Sequence, residues 1–179
     1  GRAWVELERA FDVRWQGFRL RGRCDGVWRD PNGTAWIFET KTKSQIPEDA
    51  LNDAIGFDFQ CLFYVTAKAA ELGEPVRGVL YNVVRVPGYR SKLTAEGMRE
   101  KVWDDAGRDP SHWFKRWEIV YPQEVQARFQ AELLRKLCEL ERWCRGGAPH
   151  YKTEAACIGK WHYGYLPACE AGGRLGAGF

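Results

Sequence analysis

Residues 22–41 limit what this chain can fold into more than any other stretch. Gly22-Arg23-Cys24-Asp25-Gly26-Val27-Trp28 and Ala35-Trp36-Ile37-Phe38-Glu39-Thr40-Lys41 flank Pro31-Asn32-Gly33, a strong turn signal. A three-residue hairpin loop with Gly33 in the left-handed region pairs Trp28 with Trp36 and, carried outward, Asp25 with Glu39. Side chains alternate along a strand, and directly opposed residues of an antiparallel pair face the same way. Ala35, Ile37, Glu39 and Lys41 therefore share one face, and Trp36, Phe38 and Thr40 the other. This register brings an Asp, a Glu and a Lys together at the end of an apolar strand.

Two facing carboxylates repel each other and favour a proton or a cation between them. Hard divalent ions prefer carboxylate, carbonyl and water oxygens, so Mg²⁺ or Mn²⁺ suits the pair Asp25 and Glu39. With Lys41 able to position a water, the set has what metal-assisted hydrolysis of a phosphodiester requires. Taken alone, Glu39 and Lys41 also read as a cross-face ion pair on a solvated sheet.

The next informative stretch is Phe57-Asp58-Phe59-Gln60-Cys61-Leu62-Phe63-Tyr64. On a helix Gln60 and Tyr64, four apart, lie on one face. The ordered set Asp25, Glu39-Thr40-Lys41 and Gln60-x-x-x-Tyr64, with its Gly-Arg-Cys-Asp-Gly context, resembles the PD-(D/E)xK nuclease superfamily. More narrowly it is similar to the RecB-type branch, which includes phage recombination exonucleases. The resemblance covers residues 5–85 well and the tail more loosely. It implies a restriction-endonuclease-like α/β fold, a central mixed β-sheet flanked by helices. It also implies metal binding by Asp25, Glu39 and the main-chain carbonyl of Thr40. Lys41 would position the attacking water, and Gln60 and Tyr64 would orient the site and contact the DNA backbone. Family members often carry another acid or a histidine on an N-terminal helix. No such helix is legible here, although Glu6 and Glu8 are nearby acids.

With 179 residues, 45% hydrophobic and 28% charged, the chain has the size and balance of one soluble globular domain. No apolar run approaches the ~20 residues of a membrane helix, and no signal-peptide pattern is present. The first residue is Gly rather than Met, as expected of a trimmed, processed or tagged chain. A net charge of +3 permits nucleic-acid binding without arguing for it. Six cysteines in a chain of this composition read as thiols in a reducing cytoplasm, bacterial or in a phage-infected host.

In chain order, Phe11, Val13 and Trp15 share one face of a half-buried strand, and Gln16-Gly17 is a turn. A strand from Phe18 to Trp28 places Arg19, Arg21 and Arg23 on one side with Asp25. They read either as a phosphate track or as a solvated face, and a bulge at Gly22 would spoil the parity. Lys43 follows as a further DNA-binding candidate. Pro47 and Glu48 start a short helix with Ala50, Leu51 and Ile55 on its apolar side. A second helix runs from Phe57 to Leu72, stopped by Gly73, with Phe59, Phe63 and Ala67 towards the sheet. Val76 to Val86 reads as a buried strand, reached by a parallel β-α-β crossover. A polar stretch from Tyr89 to Pro110 contains a short helix near Thr94 to Trp103, an arm or a flap. Trp113 to Val120 reads as a mixed edge strand with Trp113, Lys115, Trp117 and Ile119 on one side, or as a base-stacking surface. Pro122 opens the longest helix, to Cys144, with Val125, Phe129, Leu133, Leu137 and Leu140 as its stripe.

Residues 1–147 are thus expected to form the nuclease core, and 148–179 an irregular tail packed on the same domain. Cys157 and Cys169 resemble the ends of a C-terminal iron–sulfur signature found in some RecB-type members. The middle cysteine is missing, with Gly164 near its place, so the four thiolates of a cluster are not assembled. A zinc site from these two and a histidine, or packing without metal, are the other readings. The expected activity is Mg²⁺- or Mn²⁺-dependent cleavage of DNA, as an exonuclease acting on ends in recombination, repair or phage DNA processing. A catalytically silent nucleic-acid-binding or assembly subunit that keeps the fold is the alternative.

Overall fold

The computed structural model describes residues 3–46, 48–88 and 93–146. In chain order they form β1 (Ala3–Leu7), β2 (Ala10–Trp15), β3 (Phe18–Arg23), β4 (Gly26–Arg29), β5 (Ala35–Lys43), α1 (Glu48–Ile55), α2 (Phe59–Leu72), β6 (Val76–Arg85), α3 (Ala95–Arg108), α4 (Pro110–Trp113), β7 (Phe114–Val120) and α5 (Gln123–Cys144). Packing divides the chain into two units, residues 1–134 and 135–179. Of the second, the described part is the last turns of α5, where Arg145 pairs with Glu141 at 2.7 Å and Gly146 takes a positive φ.

The first unit is built on a mixed five-stranded sheet in the order β1-β4-β5-β6-β7. β4 and β5 form the expected hairpin, with Trp28 opposite Trp36. Its loop closes because Asp30 Oδ1 accepts the main-chain amides of Asn32 and Thr34, while Gly33 takes φ 82°. β5 to β6 is the parallel crossover, through α1 and α2, and β7 returns antiparallel on the outer edge. Asp58 caps α2 by accepting the Cys61 amide, and Gly73 ends it in the left-handed region at φ 68°.

α2 packs on β5 and β6, over the fully buried Ile37, Val79 and Val83. Burying each such side chain is worth about 1.5–3 kcal/mol. The opposite face of the sheet carries Trp28 stacked on Trp36 with centroids 5.8 Å apart, beside Leu80 and Phe38, and Trp4 meets Phe38 edge-on.

Several expectations are corrected. The strand from Phe18 to Trp28 is two strands, interrupted at Cys24 and Asp25. β3 pairs with β2 in a separate ribbon through the Gln16-Gly17 turn, while β4 joins the main sheet. Ahead of it, β1 and β2 are separate strands, with Glu8 at φ 49° marking the corner between them. In α2 the buried residues are Cys61, Leu62, Val65, Thr66, Ala67 and Lys68, whereas Phe59 is exposed and meets Phe63 and Phe129. Trp113 belongs to α4 rather than to the last strand, and α3 continues five residues past Trp103. On α5, Phe129 and Leu133 are buried but Leu140 is exposed. Cys157, Cys169, His150 and His162 lie outside the described residues, as does the tail as a whole.

Candidate active site

Glu39 sits in the middle of β5, one residue past the end of the β4 ladder and paired with Tyr81 of β6, and is 3% exposed. Its Oε1 accepts a hydrogen bond from Lys41 Nζ at 2.6 Å. Lys41 Nζ donates in turn to Gln60 Oε1, and Gln60 Nε2 donates to the Tyr64 hydroxyl at 2.8 Å. One helical turn of α2 and one strand step of β5 thus join Glu39, Lys41, Gln60 and Tyr64 in a single chain of hydrogen bonds. The Tyr64 ring is held edge-on against Phe11 of the β2–β3 ribbon, with centroids 5.9 Å apart. Its hydroxyl, accepting from Gln60, keeps its own proton free to donate.

Asp25 arrives by a route the strand pattern does not carry. The β4–β5 ladder begins at Gly26 opposite Phe38, one residue short of Asp25. Asp25 lies in the break between β3 and β4, and its Oδ2 accepts the main-chain amide of Thr40 at 2.7 Å. Its charge is near enough to Glu39 to help raise that residue's pKa.

Burial pushes the Glu39 carboxyl up from its ordinary value. The Lys41 hydrogen bond and charge oppose this without cancelling it, and the charges of Asp25 and Asp58 add to it. For Lys41, burial works towards a lower pKa, but the hydrogen bond and charge of Glu39 outweigh it and hold the ammonium above its usual range. Lys41 is therefore a cation at neutral pH, able to donate and to neutralise charge but not to take up a proton.

Glu39 Oε2 is buried and receives no hydrogen bond from the described residues. An ionised oxygen in that position is costly unless something cationic faces it. The carboxylates of Asp25 and Glu39 suit a hard divalent ion, with water and substrate phosphate completing the shell, as Mg²⁺ commonly accepts. Among the described residues no group of three or more His, Cys, Asp or Glu side chains could hold a metal ion. A metal here would depend on oxygens from beyond the protein side chains.

The remaining expected residues lie elsewhere. Arg19, Arg21 and Arg23 are exposed on β3, but the break after Arg23 removes the strand periodicity that would align them with Asp25. Two of them face Asp12, through Arg19 Nη2 at 2.5 Å and Arg21 Nε at 3.2 Å, and Arg23 faces Glu8 at 3.5 Å. Lys43 ends β5. Glu6 does not reach the Glu39 group; it pairs at 2.6 Å with the fully buried Lys68 of α2, which also holds Glu71 at 2.7 Å. Two neighbours of Glu39 were not marked from the sequence. Tyr81 is its partner on β6, and Asp58, the α2 cap, acts on the charge of both Glu39 and Lys41. The Asp-x-Gln spacing at residues 58–60 is the one signal that ties the cap to the site.

A mixed sheet flanked by helices, with an Asp, a Glu-x-Lys and a helix-borne Gln and Tyr at its centre, defines a class of α/β nuclease folds. The sequence model of the PD-(D/E)XK nuclease superfamily matches residues 1–163. The chain belongs to that superfamily, whose members act on nucleic acid and generally use divalent metals. No match is found among curated proteins. Among the described residues no helix is long and apolar enough to cross a membrane.

Proposed function

We propose that this chain is a divalent-metal-dependent deoxyribonuclease of the RecB-type branch, acting as an exonuclease on DNA ends, with residues 1–147 as its nuclease core. The observation that carries this reading is the split use of one carboxylate. Glu39 gives Oε1 to Lys41 and keeps Oε2 buried without a hydrogen bond from the described residues, with the charge of Asp25 acting on the same carboxylate. Asp25, Glu39 and the Thr40 carbonyl would hold Mg²⁺ or Mn²⁺. When bound, the ion supplies Lewis-acid polarisation of a phosphoryl oxygen and a water of lowered pKa.

The chain's own groups do the rest. Lys41, an ammonium pinned from two sides by Glu39 and Gln60, orients the attacking water and offsets charge as it grows on the phosphoryl oxygens. Water oxygen bonds to phosphorus and gives up a proton to solvent, the bond to the leaving deoxyribose oxygen breaks, and the leaving oxygen takes a proton from solvent. Gln60 fixes Lys41 and presents the Tyr64 hydroxyl towards the DNA backbone. Arg19, Arg21, Arg23 and Lys43 are exposed or half-buried cations for phosphate contact, the first three partly balanced by their acids.

The test is incubation of labelled linear and circular DNA with Mn²⁺, beside Lys41→Ala. Loss of linear DNA by the unaltered protein alone supports an exonuclease, and cutting of the circle supports an endonuclease. A band shift without cleavage supports a silent binding subunit and overturns the enzymatic reading.

A further inference from the structure

β5 and β6 run parallel and in register, with Glu39 beside Tyr81, Lys41 beside Val83 and Lys43 beside Arg85. Residues two apart on a strand share a face, and paired residues on neighbouring strands do too. Lys43 and Arg85 therefore stand on the face of Glu39 and Lys41, one side-chain step of about 6.6 Å beyond Lys41. That step is on the scale of one nucleotide.

The charge of this pair is left open. Lys43 and Arg85 have no carboxylate in ion-pair reach among the described residues, whereas Arg19, Arg21, Arg23, Arg29, Lys68 and Lys115 do. β7 begins opposite Val84 and so does not reach Arg85. In that place α4 brings His112, whose Nδ1 lies 3.3 Å from Arg85 Nη1. Arginine can only donate, so Nδ1 is the acceptor in this contact. His112 steadies the guanidinium without neutralising it.

A surface cavity of about 540 Å³ opens there, lined by Arg85, Arg108, His112 and two acids. Both acids are already engaged: Asp105 with Lys101 and Arg108, and Asp109 with the Ser111 hydroxyl and the His112 amide.

We propose that Lys43 and Arg85, with His112 as a positioning residue, grip the backbone phosphate next to the scissile one. Nucleic acid then leaves the Glu39–Lys41 pair past the carboxyl ends of β5 and β6. The inference rests on the nuclease reading for its substrate, and the experiment separates the two.

A fluorescein-labelled duplex is titrated with the full chain in EDTA at several salt concentrations, and cleavage kinetics are measured with Mn²⁺. Each phosphate contact contributes about 0.9 to the slope of log affinity against log salt. Lys43→Gln and Arg85→Gln are each expected to lower that slope by about 0.9, and to raise KM more than they lower kcat. His112→Phe, which removes the acceptor, follows Arg85→Gln in direction, and His112→Gln restores the unaltered behaviour. Lys43→Gln, at the strand's end, gives the same reading should Arg85→Gln fold poorly. Unchanged slope and KM in both variants overturns the phosphate site while leaving the nuclease reading intact. Salt-dependent binding that falls in these variants, from a protein that cleaves nothing, overturns the nuclease reading and leaves the phosphate site standing.

Discussion

Glu39→Gln separates the two pressures on the central carboxylate. Folding raises the Glu39 pKa above its ordinary 4.5, chiefly by burial. A carboxyl whose folded pKa exceeds its unfolded one stabilises the fold most below the unfolded value. That contribution is lost as pH climbs through the folded value. At pH 7 the ionised group therefore weighs against the metal-free fold, and a glutamine that imitates the protonated form relieves it. In EDTA the variant should melt at or above the unaltered protein, and the gap should close as pH falls towards 4.5. Metal reverses the order. An ion at a hundredfold over its Kd stabilises by about 2.7 kcal/mol, and a domain of this size gains about 2–4 °C per kcal/mol. The unaltered protein should gain about 5–11 °C on Mn²⁺ addition, and Glu39→Gln little or nothing. Differential scanning fluorimetry reads both arms. A variant that keeps the full Mn²⁺ shift, or that melts well below the parent in EDTA, would refute the assignment of Oε2 to a cation.

Lys41→Ala should lower single-turnover DNA cleavage by about 10²–10³ while leaving duplex affinity in EDTA little changed. Lys68→Met strands the Glu6 and Glu71 carboxylates, an expected loss of about 3–5 kcal/mol in urea unfolding that Glu6→Leu in the same chain should largely recover. Burial works to lower the Lys68 pKa, but its two carboxylates outweigh this and raise it above 10.5. The pair's contribution is therefore full below that value and should fade as pH rises beyond it, seen as a falling melting temperature in alkaline buffer. Gly78→Ala puts a Cβ 1.9 Å from the Ile119 carbonyl oxygen; displacing that backbone should cost about 3 kcal/mol or more, measured as a fall in the urea midpoint.

What could be read from the chain alone was what short-range chemistry sets. The loop between Asp30 and Thr34, the Gly73 end of α2 and the crossover into β6 each depend on residues a few positions apart. The Trp28–Trp36 register followed from the loop, and with it the shared face of Glu39 and Lys41. The break at Cys24-Asp25 was hidden because the alternation through Gly22 to Trp28 continues across it; only the pull of two different sheets divides the run. The burial of Lys68 has no local signal, because its partner Glu6 is 62 positions away. The true length of α3 was missed for a related reason. Its last turn, Asp104 to Arg108, has few apolar residues to mark it and is laced instead by Arg108 to Asp104 and Asp105.

The way Asp25 is anchored has a consequence for how such a chain can drift. The carboxylate leans on the backbone of residue 40, not on its side chain, so any amino acid that keeps an N–H there leaves the anchor intact. Proline alone would take the donor away. The middle letter of the Glu-x-Lys triplet is thus free to wander through mutation, whereas sliding the hairpin by a single position would offer Asp25 another amide and swing Glu39 out of its burial place.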